Sequence, residues 1–229
     1  LAACFLAQKL YAPGLRIRHG LRIERGIELN PAAWTMNTKS ITHKIIEYTE
    51  THDSILSIVS PNKASRLCDT FFVSGIQIDK HGSTNLIGLK GKNKRFSLRG
   101  PGSIGITSIA QFAKKYFIVS LEHSRRRFVD KVDYVSSIGY DIRQKYNIPG
   151  GPYLCITPLC IFDFFNGMMR LKSIYSHSNV NEVVEKTGFM PLMPKKVEHE
   201  KGPTKAELRI LSLIDKNGML KEIDKEIMS

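Results

Sequence analysis

The run Arg99-Gly100-Pro101-Gly102-Ser103-Ile104-Gly105-Ile106-Thr107 has the residue types that let a ligand reach the main chain. Glycines hold nothing out against a ligand. Free N–H groups in such a turn can cradle an anion or stabilise the oxyanion of an acyl transfer. A helix over Ile104–Ala113 would add the field of its N-terminus to the same place. His123 followed by Arg125-Arg126-Arg127 is a second candidate, with His123 and Arg126 as contacts to a phosphate or a substrate carboxylate. A guanidinium grips either group through two parallel hydrogen bonds. Each candidate has a plainer alternative: a tight strand-to-helix turn for the glycines, an exposed turn or subunit contact for the arginines. Gly100, Gly102 and Gly105 match the Gly-x-Gly-x-x-Gly spacing. Pro101 stiffens the turn, however, and no early strand–loop–helix unit surrounds it, so a dinucleotide fingerprint is not assigned. Gln77, Asp79 and Asn85 read as organisers of turns, and Asp133 as an acceptor for local backbone donors. Glu24, between Arg22 and Arg25, reads on residues alone as a solvated carboxylate in a surface ion pair. No serine–histidine–aspartate spacing and no Cys/His cluster of zinc type is present.

Positioning these residues requires strands on both sides of the glycine run. Phe71–Ile78 alternates poorly and reads as a central strand buried on both faces, as in a parallel sheet. Asp79–Ser83 is turn chemistry, Asn85–Gly88 resumes extended chain, and Tyr116–Val119 is a second apolar strand. Residues 1–10 form a helix with Phe5, Leu6 and Leu10 inward, ended at Ala12-Pro13-Gly14. Leu15–Ile23 alternates with period two as a strand with one wet face. Asn30–Thr38 is a polar connection carrying Trp34, and Ser40–Thr51 is a helix with Ile41, Ile45 and Tyr48 on one stripe. Ser54–Val59 is ambiguous, and Ala64–Cys68 leads into the central strand. Asp141–Pro149 is a loop, bounded by Gly139 and Gly150-Gly151-Pro152, placed over the site or a subunit contact. Tyr153–Thr157 and Cys160–Phe165 pair around Pro158, and Met168–Tyr175 continues the meander. Val180–Thr187 is a short helix capped by Gly188. Residues 190–203 are an extended arm. Thr204–Ile214 is a last helix with a capping box formed by Thr204 and Glu207. The expected organisation is one α/β domain over residues 1–189, with 190–229 as an arm and helix belonging to it.

With 229 residues, 42% hydrophobic and 24% charged, the chain is long enough for one substantial core. No stretch approaches the roughly 18 apolar residues of a membrane span, so no membrane is implied. Cys4, Cys68, Cys155 and Cys160 form no CxxC pair and sit in apolar surroundings, which fits reduced, buried thiols in a cytoplasmic protein. The apolar start at Leu1–Leu10 lacks a basic leader and a small-residue cleavage site, and reads as a buried helix rather than a signal peptide. The net charge of +13 makes nucleic acid a first suspect. Its cations are scattered, however, with no recognised motif and no stacking ladder. A phosphate-rich ligand or an acidic partner subunit uses such charge equally well.

Strand, turn, glycine loop, strand and the segment Glu122–Val135, in this order, resemble the β subunit of the family I CoA-transferases, especially the glutaconate group. Gly150–Thr157, Phe162-Asp163-Phe164, Glu207-Leu208-Arg209 and Ile214-Asp215 extend the resemblance. Leu1 then falls within the family's first helix. The resemblance implies the CoA-transferase-type α/β fold, a mostly parallel sheet flanked by helices. It also implies an α-like partner in a hetero-oligomer, coenzyme A as substrate, no permanently bound cofactor and no metal. Acyl-CoA and a carboxylic acid would be the reactants. The family's nucleophile is a glutamate after a Tyr-Ala-Pro turn, able to form an acyl anhydride and then a glutamyl-CoA thioester. Counted without a gap from Tyr11-Ala12-Pro13 its place falls on Gly20; with four extra residues it falls on Glu24, the preferred register. Arg99, Gly100, Gly102, Ser103 and Gly105 would form the CoA and oxyanion loop. The Gly20 register instead implies a subunit without a nucleophile, similar to the β subunit of the hydrolase that opens a steroid ring as its CoA thioester. A basic nucleic-acid-binding protein or a non-catalytic scaffold is the alternative from another class.

Overall fold

A computed structural model of the chain describes residues 2–15, 17–21, 25–29, 49–54, 69–103 and 105–215. In chain order the elements begin with α1 (Ala2–Leu10), β1 (Arg18–Leu21), β2 (Arg25–Leu29) and β3 (Thr49–Ser54). Then come β4 (Thr70–Val73), β5 (Gln77–Asp79), β6 (Thr84–Asn85), β7 (Gly88–Lys90) and β8 (Phe96–Arg99). They are followed by α2 (Ile106–Phe112), β9 (Lys115–Val119), β10 (Phe128–Val129), α3 (Tyr140–Tyr146) and β11 (Pro152–Ile156). The chain continues with β12 (Cys160–Phe165), β13 (Met168–Ile174), α4 (Val180–Lys186), β14 (Glu198–His199) and α5 (Lys205–Ile214). No helix among the described residues is long and apolar enough to cross a membrane.

The chain divides into two compact units, residues 1–58 with 202–229, and residues 59–201. In the first, β1, β2 and β3 form an antiparallel sheet. Phe5 and Ile17 are buried, and the Tyr11 hydroxyl donates to Glu207 Oε1 at 2.9 Å, joining the end of α1 to the start of α5. The expected capping box is present: Thr204 Oγ1 accepts the Glu207 amide, and Glu207 Oε2 accepts the Thr204 amide at 2.6 Å. Thr49, Glu50 and Thr51 belong to β3 rather than to a helix ending at Thr51. Threonine at positions 49 and 51 favours the extended chain. The rest of that expected helix, Trp34 and Ala64–Cys68 lie outside the described residues.

The second unit is built on a six-stranded sheet in the order β14-β13-β12-β11-β9-β4. Three of its pairings are parallel (β4–β9, β9–β11, β13–β14), and the β11–β12–β13 meander is antiparallel. The meander turns at Asn166-Gly167, both at positive φ, the signature of a two-residue hairpin. One face carries the core: Val73, Tyr116, Ile118, Cys155, Cys160, Phe162, Met169 and Leu171 pack with Phe128 and Val183. At the other end of the order, Phe72 stacks on Phe117 at 5.2 Å and Tyr153 meets Phe117 edge-on at 5.5 Å.

Phe71–Ile78 is not one buried strand. β4 has an exposed–intermediate–exposed–buried pattern and closes one end of the large sheet. After Ser74-Gly75-Ile76 the chain leaves that sheet, and β5, buried at every residue, pairs with β10 and β6 in a separate three-stranded sheet. Gly75 is the break. Its carbonyl accepts the Arg127 guanidinium, and a Cβ there would lie 2.6 Å from the Gln77 oxygen.

The segment expected as a loop, Asp141–Pro149, is largely the helix α3. Its end is set by Asn147, in the left-handed region, whose amide returns to the Arg143 and Gln144 carbonyls. Arg143 points inward at 2% exposure and donates to Ile138 O at 3.1 Å, Pro149 O at 2.6 Å and Ala110 O. At the end of α4, Gly188 is not a left-handed cap. It lets the backbone close on β10, where its amide donates to Phe128 O at 2.8 Å and a Cβ would sit 2.1 Å from that oxygen.

Replacing Arg143 by methionine should therefore destabilise the protein by about 3 kcal/mol or more, because buried carbonyls lose their donors. Arg143→Lys keeps the charge but not the fork, and should recover only part of the loss. Urea unfolding, read as the midpoint at unchanged slope, checks both.

Candidate functional site

The glycine loop rests on a buried polar turn between β5 and β6. Asp79 Oδ1 accepts the amides of His81 at 3.0 Å and Ser83 at 2.9 Å. Burial raises the Asp79 carboxyl, and these backbone bonds work against that rise. Asn85 is fully buried; its Nδ2 donates to Gln77 Oε1 at 2.8 Å and to Gly88 O at 2.7 Å, while its Oδ1 accepts the Ile87 amide at 2.9 Å. Gln77 Oε1 also takes the Asp133 amide, and Asp133 Oδ2 takes the Lys90 amide, each at 2.9 Å. Gln77, Asp79 and Asn85 thus organise the turn as expected. Asp133 serves a backbone donor too, though one far away in the chain rather than local.

β7 and β8 rise from this base as an antiparallel hairpin, and the loop Gly100–Gly105 follows β8. Two of the amides expected to face a ligand are already bonded. Gly100 N–H donates to Ile87 O and Gly102 N–H to Leu86 O, both at 2.9 Å. The loop is therefore clamped to Leu86-Ile87, the link between β6 and β7, and these two groups are already spoken for. Glycine is needed at 100 because a Cβ would sit 2.3 Å from Leu86 O. At 102 there is open space, and the requirement is φ +92. Gly105, at φ 77, turns the chain into α2, and the Ile106 amide returns to Ser103 O at 3.1 Å. Arg99 lies exposed, its guanidinium carbon 4.9 Å from the centre of the Phe96 ring and Nη1 donating to Ile87 O.

His123 turns into the core. It is buried, with Nδ1 2.9 Å from Thr157 Oγ1 and Nε2 3.0 Å from Thr187 Oγ1. Thr187 Oγ1 donates to Val183 O, so it accepts from His123 Nε2–H. Thr157 Oγ1 accepts the amides of Leu159 and Cys160 and donates its own proton to Cys160 O at 3.0 Å. Burial pulls the His123 pKa down to about 4. The nearby thiols of Cys155 and Cys160 are buried and free, burial pushing Cys160 up to about 12. Arg126 lies on the surface with a side chain 79% exposed, 3.2 Å from Glu122. Arg127 is the more structural of the pair, holding Glu122 at 2.8 Å and Gly75 O. Burial alone would raise Glu122; bonds from Ser124, Arg127 and Arg126 outweigh it and hold its carboxyl at about 2. His123 and Arg126 are therefore not brought together as one anion site, and neither hydrogen-bonds or ion-pairs with the glycine loop among the described residues.

Gly20 lies in β1, paired with Gly26 of β2; Glu24, the other register, lies outside the described residues. The sequence reading missed the exposed hairpin itself, where Lys90 lies 5.5 Å from the Tyr134 ring centre and Phe96 lies 5.3 Å from Tyr134. The signal was present as a run without acidic residues between Asp79 and Glu122. Among the described residues no group of His, Cys, Asp and Glu could hold a metal ion.

A family model described as coenzyme A transferase matches residues 56–186, a span that holds the glycine loop, His123 and Arg126. The B subunit of a 3-oxoadipate CoA-transferase from Pseudomonas knackmussii is 32% identical over 154 residues, 64% of this chain and 58% of that protein. The B subunit of glutaconate CoA-transferase from Acidaminococcus fermentans is 34% identical over 158 residues, 66% of this chain and 57% of that protein. The chain thus matches under three fifths of the length of either relative. The crystal structure of the Acidaminococcus fermentans enzyme superimposes with a TM-score of 0.79 at 26% identity, covering 95% of this chain and 85% of that one. A decarboxylase, AibA/AibB, shares the fold with a TM-score of 0.82 at 19% identity, covering 97% of this chain and 86% of that one.

Two outcomes test the geometry. Gly100→Ala should cost about 2–3 kcal/mol through its clash with Leu86 O, whereas Gly102→Ala should cost only about 1 kcal/mol of backbone strain. Separately, His123 binds its proton only in the unfolded chain between pH 6.5 and about 4. Stability should fall by up to about 3 kcal/mol as pH drops through that window and level off below it. Urea melts of the wild type and His123→Gln across the window check this, the variant showing the shallower slope.

Proposed function

The chain belongs to the coenzyme A transferase family, and on that premise we propose that it is the B-type subunit of an enzyme moving coenzyme A between carboxylic acids. The observation that carries the reading is the family match over residues 56–186. The two curated relatives, each the B component of a CoA-transferase, support it, as does the shared fold with the glutaconate enzyme. Those names also support a companion subunit. The active assembly pairs this chain with an A-type subunit.

Glu24 is the proposed nucleophile. A carboxylate oxygen attacks the acyl-CoA carbonyl, the C–S bond breaks and the CoA thiolate leaves a mixed anhydride. The thiolate then attacks the glutamyl carbonyl, releasing the first carboxylate and leaving a glutamyl-CoA thioester. The incoming carboxylate repeats the two steps in reverse, forming the new acyl-CoA and restoring Glu24. Each step exchanges one acyl bond for another and consumes no proton, which a carboxylate nucleophile allows. In this reading the thioester lies along main chain left bare by Gly100, Gly102 and Gly105.

Glu24→Ala in the assembled enzyme should lower transferase activity on the order of 10³-fold or more. Mass spectrometry after acyl-CoA and hydroxylamine or borohydride trapping should find the adduct on the peptide containing Glu24. Free CoA released with no adduct would move the chain to thioester hydrolysis, with the catalytic group on the companion. Loss of neither activity nor adduct in Glu24→Ala would remove Glu24 from the chemistry.

A further inference from the structure

From Lys80 to Leu121 the chain contains no aspartate or glutamate, while Lys80, Lys90, Lys92, Lys94, Arg95, Arg99, Lys114 and Lys115 fall inside that stretch. Lys80 pairs with Asp130 at 2.7 Å and Lys114 with Asp69 at 2.5 Å. Among the described residues no carboxylate lies within ion-pair distance of Lys90, Lys92, Arg95 or Arg99, all exposed. The nearby acid Asp133 has an oxygen on the Lys90 amide.

These cations surround apolar groups. Every residue of β8 is exposed, Phe96 at 44% and Leu98 at 50%, with Val135 at 38%. Lys90, Tyr134, Phe96 and Arg99 form a continuous cation–ring–ring–cation series, which holds the basic side chains over the hairpin instead of leaving them free. The base is rigid: Asn85 bonds both main-chain groups of Gly88, and the Gly100 amide closes on Ile87 O.

We propose that the β7–β8 hairpin docks this chain into an acidic groove on its companion subunit. The inference rests on the reading of the chain as one subunit of a two-component enzyme. Every residue of β8 is exposed on an open two-stranded hairpin, so the occupant must bring the groove. Phe96 and Leu98 at the centre with Lys92, Arg95 and Arg99 around them, none facing a carboxylate, have the make-up of an interface core and its charged rim. Charge of one sign also steers association with an oppositely charged surface. Because the hairpin is already ordered, little side-chain freedom is lost on docking.

The complex of this chain with its A-type companion provides the test. Hydrogen–deuterium exchange should slow across residues 88–99 on assembly. Lys92→Glu with Arg95→Glu should raise the dissociation constant at least about tenfold at low salt, and wild-type affinity should fall as salt rises. Phe96→Ser with Leu98→Ser should weaken the complex to a similar degree through faster dissociation, and both double variants should melt at the wild-type temperature. An assembled complex whose hairpin exchanges as in the free chain, or variants that assemble like the wild type, would overturn the inference and leave the subunit reading standing. Variants that assemble normally but show a raised KM for acyl-CoA would assign the hairpin to the CoA phosphates instead. Salt-sensitive capture of random duplex through the same cations, without companion binding, would assign it to nucleic acid. Failure of the wild-type chain to bind the companion at all would remove the subunit reading itself.

Discussion

The guanidinium of Arg143 is out of water, and its hydrogen-bond partners are carbonyl oxygens rather than a carboxylate. Burying a cation costs several kcal/mol unless each of its donors is met by a well-placed acceptor. The acceptors come from the end of α2, from Ile138 two residues before α3 and from the turn into β11, so a single side chain fixes the spacing of three segments. Tyr116 of β9 lies against it, its ring centre 5.7 Å from the guanidinium and its hydroxyl between Ile138 O and Gly82 O. The position of the β5–β6 turn, and of the hairpin and loop that stand on it, follows from that arrangement. Burial pushes the Tyr116 hydroxyl upward in pKa, which keeps it a donor at any ordinary pH.

The glycine loop gains its shape from the same economy of backbone groups. Its amides at 100 and 102 complete hydrogen bonds with the chain before the hairpin, so the loop is held from within rather than awaiting a ligand to order it. Its main chain at Gly100 and Gly102 is thereby set in place.

Much of this was legible in the residues. The β11–β12–β13 meander announces itself through its punctuation by Pro158 and Asn166-Gly167, and α5 through the Thr204–Glu207 pair. The fold was expected through the family resemblance that the order of strand, glycine loop and strand carries. Other features were hidden for physical reasons. α3 is a single seven-residue helix between glycines, too short for a helical stripe to stand out, and its defining residue is a charged one that turns inward. Phe71–Ile78 looks continuous because the break at Gly75 depends on Arg127, more than fifty residues away. His123 stands beside three arginines in sequence, yet two distant threonines decide that it faces the core. Exposed amides and buried ones look alike in a sequence, so the bonds of Gly100 and Gly102 could not be read there.

The order of strands in the large sheet has a kinetic consequence. From β4 through β9, β11, β12 and β13 to β14, neighbours in space succeed one another along the chain. A polypeptide emerging from the ribosome can therefore extend this sheet at one growing edge, each new strand joining the last. None has to be inserted between partners already paired. The parallel joins require closing longer loops than the meander does, and closure entropy makes them the slower additions. Synthesis in the N-to-C direction presents two of those slow joins first, giving them the time during which the remainder of the sheet is still being made.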